Sequence, residues 1–243
     1  MIKTASHIHS EWSYDGQWPL TKIAAEFERR GYHVLLTTEH DRGFSQARLL
    51  EYREACAKAS TERLLIVPGI EYSDADNVVH ILVWGSVPFL GEALSTVELL
   101  DKVKAAGGFA VLAHPSRKEA WKRFDPRWAS NLLGIEIWNR KTDGWAPSST
   151  AMPLMRGNSL LPFVGLDFHT RRQFFPLATE LKIGAPVTET SVLECFRSGR
   201  CRPMALGVSV QEFLFRRWRR SGLQAAEFGR RTAASALRRL RAA

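Results

Sequence analysis

Short apolar runs alternate with amphipathic stretches over the first 210 residues. The runs Lys3–Ile8, Val34–Thr38, Leu64–Val67, Val79–Trp84, Phe109–Ala113, Gly134–Trp138 and Pro162–Leu166 are mostly continuous rather than alternating. That is the pattern of parallel strands buried on both faces. Between several of them lie helical patterns. Trp18–Arg30 places Leu20, Ile23, Ala24 and Phe27 at helical spacing, carries Pro19 near its start and stops at Gly31. Phe44–Ser60, Thr96–Ala106 and Thr188–Ser198 read the same way, the last two ending just before Gly107 and Gly199. The alternation predicts an α/β fold with a parallel sheet, open or closed into a barrel. Segment 140–160 is rich in Ser, Pro and Gly and predicts a long loop. No internal repeat is present.

The length of 243 residues suits one large domain with an appendage. With 45% hydrophobic and 24% charged residues, collagen-like, fibrous and wholly disordered chains are excluded. Three cysteines are too few for a disulfide scaffold and fit a reducing compartment. The spacing of Cys195 and Cys201 matches neither a redox nor a zinc motif. The N-terminal MIKTASHIHSEW has no apolar signal segment. The Val78–Leu90 run is interrupted by His80 and falls short of the roughly 20 residues a membrane span needs. The expectation is a soluble, cytoplasmic chain with no transmembrane segment.

The net charge of +9 is unevenly placed. From Gln211 onward nine arginines face only Glu212 and Glu227, so seven of those nine charges lie in residues 211–243. The body, 1–210, is nearly neutral, and a boundary is expected near 210. Phe213, Phe215, Trp218, Leu223 and Phe228 punctuate the basic tail, which reads as one or two amphipathic helices. Its partners are an anionic membrane surface, another protein or nucleic acid, or else it docks on its own body.

The histidines carry the chemistry. His7 and His9 close the first strand, His40 follows the second, His114 ends the Phe109–Ala113 strand and His169 follows Pro162–Leu166. The C-terminal strand ends of a parallel α/β sheet lie on one side, so these imidazoles converge. His80 sits within the Val79–Trp84 run, which makes that strand antiparallel or an edge. Glu71, Asp15 and Asp167 accompany the histidines at the same end. Imidazole with carboxylate and no thiolate suits zinc, manganese or iron. Without a cation such a cluster is costly to bury. His33 stands outside the pattern and reads as a packed core residue.

In this order, HIHSEWSYDG (7–16), TTEHD (37–41), PGIEYS (68–73), VHILVWG (79–85), LAHPSR (112–117), GIEIWN (134–139) and GLDFH (165–169) resemble the PHP (polymerase and histidinol phosphatase) family of metal-dependent phosphoesterases. FRSGRC (196–201) is similar to the last helix and turn of that domain. The resemblance implies a distorted (β/α)7 barrel with up to three divalent metal ions. It implies a first ion on His7, His9, Glu71 and Asp167, with Glu71 bridging to a second completed by His80 and His114. A third would rest on Asp15, His40 and His169. Glu39 stands where the family motif usually has aspartate, which puts the placement of His40 and the third ion in question. Glu136 and Asn139 match an E-x-x-N stretch beside the metals.

Such a site implies hydrolysis of a small-molecule phosphate ester, monoester or diester, by a water bridging the metals. Arg117, close after His114, is the candidate phosphate contact. A nuclease or 3'-5' exonuclease built on the same site is the alternative, although the neutral body lacks the basic stripe that nucleic acid favours. A non-catalytic module whose tail does the binding is the third reading.

Overall fold

The computed structural model describes residues 1–242, and side chains as far as Ala236; those of Arg238, Arg239 and Arg241 in the basic tail lie outside the described residues. In chain order the elements are β1 (Ile2–Ile8), α1 (Leu20–Glu28), β2 (Val34–Thr37), β3 (Glu39–His40), α2 (Gln46–Ala59), β4 (Leu65–Val67) and β5 (Gly69–Ser73). There follow β6 (His80–Trp84), α3 (Thr96–Ala105), β7 (Phe109–Leu112), β8 (Gly134–Asn139), α4 (Ala151–Gly157), β9 (Leu161–Gly165) and β10 (Leu177–Leu181). The chain ends with α5 (Glu189–Arg197), β11 (Cys201–Ala205), β12 (Val208–Ser209), α6 (Gln211–Phe215) and α7 (Arg217–Ala242).

The strands form two six-stranded sheets, ordered β12-β11-β10-β1-β2-β4 and β3-β5-β6-β7-β8-β9. β1, β2 and β4 are parallel, as are β7, β8 and β9. The chain passes between sheets where β2 runs on through Thr38 into β3 and β4 through Pro68 into β5. At the other seam Ile8 bridges Phe168 in parallel, and the Ser6 and His7 carbonyls accept the N–H groups of Leu166 and Phe168. This is a mixed α/β fold with parallel strands. The ladders make two sheets rather than one ring of seven strands, and β6 runs antiparallel to both its neighbours.

The continuous apolar runs have a direct cause. Val34 and Leu36, Leu82 and Trp84, and Phe109 and Val111 share one buried cluster with Val192, Leu193 and Phe196 of α5. The alternate residues Leu35, Ile81, Val83, Ala110 and Leu112 belong to a second cluster with Ile23 and Phe27 of α1 and Tyr52 of α2. Both faces of these strands are therefore dry, so no polar alternation survives in the sequence. Helices begin where the caps say they should: Ser45, Ser95 and Thr188 each accept an N–H of the following turn.

Some expectations change. The 140–160 loop contains α4, whose Ala151 and Met152 are buried and whose Pro153 falls in the first turn, where a missing N–H costs nothing. Strands β10, β11 and β12 were not expected; they form an antiparallel ribbon on the free side of β1. His33 is exposed rather than in the core, and its Nδ1 accepts the Lys3 N–H at 3.1 Å. No helix among the described residues is long and apolar enough to cross a membrane.

The segment after 210 is anchored to the body. Phe213 and Leu214 of α6 are buried in the larger cluster, with Phe213 edge-on to Trp138 at 5.5 Å. On α7, Glu227 accepts hydrogen bonds from Arg230, Arg231 and the Trp145 N–H. Phe213→Ala is expected to cost about 3–5 kcal/mol in urea unfolding, the range for losing a buried phenyl. Burial raises the Glu227 carboxyl pKa, but the bonds from Arg230, Arg231 and Trp145 outweigh it and hold it at about 2. Its contribution to stability is then complete above its ordinary value of 4.5 and lost as pH falls toward 2. An acid titration followed by fluorescence should show wild type losing more stability over that window than Glu227→Gln.

Candidate metal centre

Nine side chains gather at one end of the sheets, the C-terminal end of the parallel strands and the N-terminal end of antiparallel β6: His7, His9, Asp15, His40, Glu71, His80, His114, Asp167 and His169. Every candidate ligand named from the sequence is among them. They arrive from distant segments: His7 from β1 with His9 just after it, His40 from β3, Glu71 from β5 and His80 from β6, His114 after β7, Asp167 and His169 after β9, and Asp15 from the β1–α1 loop. His7, His114 and Asp167 have φ of 61°, 22° and 48°. Left-handed backbone at non-glycine residues costs about 1–3 kcal/mol each and persists where surrounding structure imposes it. In β1 the register with β2 slips between Ser6 and Ile8, at His7 itself. This irregularity, rather than plain strand alternation, turns His7 into the cluster beside His9.

Glu71 is the hub. Its oxygens lie 3.4 Å from His7 Nε2, 3.3 Å from His9 Nε2, 3.1 Å from His40 Nδ1, 2.7 Å from His80 Nδ1 and 2.9 Å from His114 Nε2. Asp167 Oδ1 lies 3.9 Å from His7 Nε2, 3.7 Å from His9 Nε2 and 3.3 Å from His169 Nδ1. Asp15 joins His40 Nε2 at 3.3 Å and His169 Nε2 at 3.1 Å. Four groups of donors fall within coordination reach of a common point: His7 with His9 and Glu71; Glu71 with His80 and His114; His7 with His114 and Asp167; and His9 with Asp15, His40 and His169.

Hydrogen bonds on the far side of the rings decide which nitrogens face inward. Glu136 Oε1 lies 2.9 Å from His7 Nδ1, and a carboxylate only accepts, so Nδ1 carries a proton and, in the neutral ring, Nε2 presents a lone pair. Ser13 Oγ donates to Glu39 Oε2 at 2.5 Å, so at 3.1 Å from His9 Nδ1 it accepts. That leaves His9 Nε2 as a lone pair too. Both Nε2 atoms are buried without a hydrogen-bond partner, and both face the Glu71 carboxylate. Acceptor facing acceptor in a dry site is unfavourable unless a cation lies between them. The donor set therefore fits divalent metal ions.

The titration behaviour reports the same demand. Burial would push His7 down, yet Glu136, Glu71 and Asp167 raise it well above its ordinary value. Burial, with help from His40 and His169, pushes His9 well below its own. Burial would also lower His40, but hydrogen bonds to Asp15 and Glu71 lift it to about 10. Burial raises the Glu71 carboxyl, and His7, His80, His114 and His40 reverse this and hold it well below the carboxylate range. His7 and His9 are equally buried and shift in opposite directions: the acids around His7 call for positive charge, as a proton or a cation, while His9 stays neutral, the form that metal ligation uses.

A family model search matches nothing in this sequence, and no curated protein matches it. Solved structures do match. A two-domain protein from Bacteroides vulgatus, containing a predicted PHP-like metal-dependent phosphoesterase, superposes at a TM-score of 0.63 with 19% identity over 84% of this chain and 64% of that one. The fold is that of the PHP-like metal-dependent phosphoesterases. This chain thus spans just under two thirds of the Bacteroides protein. PsfC from Pseudomonas syringae gives a TM-score of 0.60 with 15% identity over 91% and 98% of the two chains. An amidohydrolase from Chromobacterium violaceum, with bound sulfate and no metal, gives 0.50 with 17% identity over 69% and 88%.

Within this PHP-like frame the structure adds residues that the sequence had not singled out. Ser10 and Ser13 hold Glu39, and Ser13 also accepts the His40 N–H at 3.0 Å. Lys141 reaches Asp167 Oδ1 at 3.3 Å and His169 Nε2 at 3.1 Å. Arg117, the candidate phosphate contact expected from the sequence, has Nη1 3.1 Å from His80 Nε2 and donates to the Asn77 carbonyl. A cleft of about 210 Å³ lined by Tyr14, His40, Arg42, Ser73 and Asn77 opens beside the cluster. A larger cavity of about 750 Å³ lies at the opposite strand ends, lined by Ile2, Tyr32, His33 and Leu64, away from every metal-capable group. The smaller one is the cavity that adjoins the metal-capable groups, through His40.

Glu136 sits against Gly165, where an added Cβ would meet its Oε1 at 1.7 Å. It also accepts the His114 N–H at 2.8 Å and the Asn139 amide at 2.9 Å. Such outer partners typically govern metal affinity by 10–100-fold. Glu136→Gln is expected to weaken manganese or zinc binding by about that factor in isothermal titration. Unchanged affinity would mean that His7 holds no metal.

Proposed function

We propose that the chain is a metal-dependent hydrolase of phosphate esters. The observation that carries the proposal is the pair of buried imidazole lone pairs, His7 Nε2 and His9 Nε2, both directed at the Glu71 carboxylate. His7, His9, Glu71 and Asp167 would hold one divalent ion. Glu71, His80 and His114 would hold a second, and Asp15, His40 and His169 a third. When bound, such ions supply a hydroxide nucleophile near neutral pH and neutralise the charge that develops on the phosphoryl group.

The protein's own groups support water as the nucleophile. The Ser10 and Ser13 hydroxyls are buried and hold Glu39 and the rings behind it rather than facing the cleft. Cys56 is buried, and burial pushes its thiol up to about 12. Glu136 on His7 and the Glu39–Ser13 relay on His9 keep two rings in one tautomer and orientation, so little reorganisation is needed during turnover. Arg117, at the His80 end, supplies a planar guanidinium suited to phosphoryl oxygens. A fold shared with a protein containing a PHP-like phosphoesterase, and with an amidohydrolase that holds sulfate, agrees with an anionic ester as substrate.

Protein purified without chelator should hydrolyse p-nitrophenyl phosphate or bis-p-nitrophenyl phosphate. Activity should vanish with EDTA and return with manganese or zinc. His9→Ala should lose about a hundredfold or more in kcat together with bound metal, while circular dichroism stays that of the wild type. Turnover undiminished in His9→Ala would overturn the proposal.

A further inference from the structure

We infer that Lys141 is the anion-recognition residue of this site and that Glu227, on α7, is its positioning residue. The inference rests on the phosphate-ester reading and narrows it to dianionic monoesters. Lys141 and Arg117 stand at the two ends of the cluster, the first against His169 and Asp167, the second against His80. Lys141 is 41% exposed, so its ammonium reaches both the cluster and the solvent beside it. With Asp167 and His169 engaged by divalent ions, the ammonium loses the lone pairs it now touches. It is then free for an anion on the same spot, and a compact three-donor charge suits a terminal phosphoryl group. Two cations bracketing the site favour a substrate with two charges over a singly charged diester.

The loop that carries Lys141 is held on its inner and outer sides. Inside, the Thr142 N–H donates to Asn139 Oδ1 at 3.0 Å, the Asn139 N–H to Asp143 Oδ2 at 2.8 Å and Trp138 Nε1 to the Gly144 carbonyl at 3.2 Å. Outside, the contacts come from α7. Glu227 accepts the Trp145 N–H at 3.2 Å, and Arg231 donates to Glu227 at 2.6 Å and to the Thr142 carbonyl at 2.9 Å. Gly144, at φ +78°, makes this approach possible; a Cβ there would lie 2.2 Å from Glu227 Oε1. The backbone just after Lys141 is thus tied to the C-terminal helix by a buried carboxylate and an arginine. Among the described residues, its terminal ammonium meets only Asp167 and His169 of the site. The helix therefore sets where the ammonium stands without touching substrate.

The test uses the full chain purified with its metal. Titration calorimetry with inorganic phosphate is run beside elemental analysis and kinetics on both nitrophenyl esters. Lys141→Ala should weaken phosphate binding about tenfold and raise KM for the monoester alike, with a smaller effect on the diester. Metal content should not change, and Lys141→Arg should recover most of the loss. Glu227→Ala should weaken phosphate binding about threefold, and the double variant should bind no worse than Lys141→Ala alone. Arg231→Ala, which removes the Thr142 contact, reads the same coupling if Glu227→Ala does not fold. Phosphate affinity unchanged in Lys141→Ala, loss of metal in that variant, or multiplicative losses in the double variant would overturn the inference. Should the wild type bind phosphate yet cleave no ester, the catalytic reading fails while the calorimetry still decides the roles of Lys141 and Glu227. No phosphate binding by the wild type would overturn the roles of Lys141 and Glu227, and ester turnover alone then decides the catalytic reading.

Discussion

A buried carboxylate with five imidazoles turned toward it is the constraint around which this protein is built. Glu71 is 1% exposed, and its contacts with His7, His9, His40, His80 and His114 come from β1, β3, β6 and the segment after β7. A hydrophobic set of the same volume would pack there at lower cost. The polar cluster persists because two of its imidazole nitrogens are locked as lone pairs by bonds on their far sides. Ring nitrogens that cannot be turned away from a carboxylate call for positive charge between them, a second proton on His7 or a cation from outside the chain. The sheet, the strained strand ends and the outer carboxylates serve that local imbalance.

The strained backbone follows from it. Regular strands alternate their side chains, so one strand end offers one inward residue every second position. His7 and His9, like Asp167 and His169, are two positions apart, so alternation allows each pair one face but not the inward tilt that aims both pairs at a common centre. The slip at His7 in β1 and the left-handed turn at Asp167 supply the extra rotation. The two segments then hydrogen-bond to each other, Phe168 N–H to the His7 carbonyl at 3.0 Å and His9 N–H to the Phe168 carbonyl at 2.9 Å. Those bonds and the zero exposure of Ile8 and Phe168 between the ligand positions hold strain that neither segment would keep alone.

Much of this was legible in the sequence because it is local. The seven apolar runs became strands, since burial on both faces leaves a continuous apolar signature. The ligand-type residues could be placed because strand ends in parallel sheets share one side. What escaped is non-local. The β10–β11 ribbon carries Thr179, Glu180, Arg202 and Pro203, so its strands have no unbroken apolar stretch, and only pairing with β1 stabilises them. Lys141 sits in a loop whose path depends on Gly144 and on a carboxylate more than eighty residues later, at Glu227. His33 was misplaced for the reverse reason: beside the apolar Val34–Thr37 strand it looks like core, yet it lies at the exposed strand start.

Glu39 shows how a departure from a familiar pattern is absorbed. A carboxylate one methylene longer than aspartate threatened to displace His40. In the structure Glu39 turns to Ser10 and Ser13 instead, accepting the Ser10 N–H at 3.1 Å and the Ser10 hydroxyl at 2.6 Å. Burial raises its pKa, against the lowering effect of these Ser10 bonds and of the Ser13 hydroxyl. Ser13 then relays the orientation to His9 Nδ1 and to the His40 N–H. Two carboxylates thus hold two ring nitrogens by different means, Glu136 directly on His7 and Glu39 through a hydroxyl on His9. The hydroxyl can accept from the ring only while it donates to the acid, so the His9 tautomer depends on Glu39 although the two never touch. The extra methylene is therefore accommodated by the HSEWS turn, where Ser10 and Ser13 lie close enough to bond one carboxylate together.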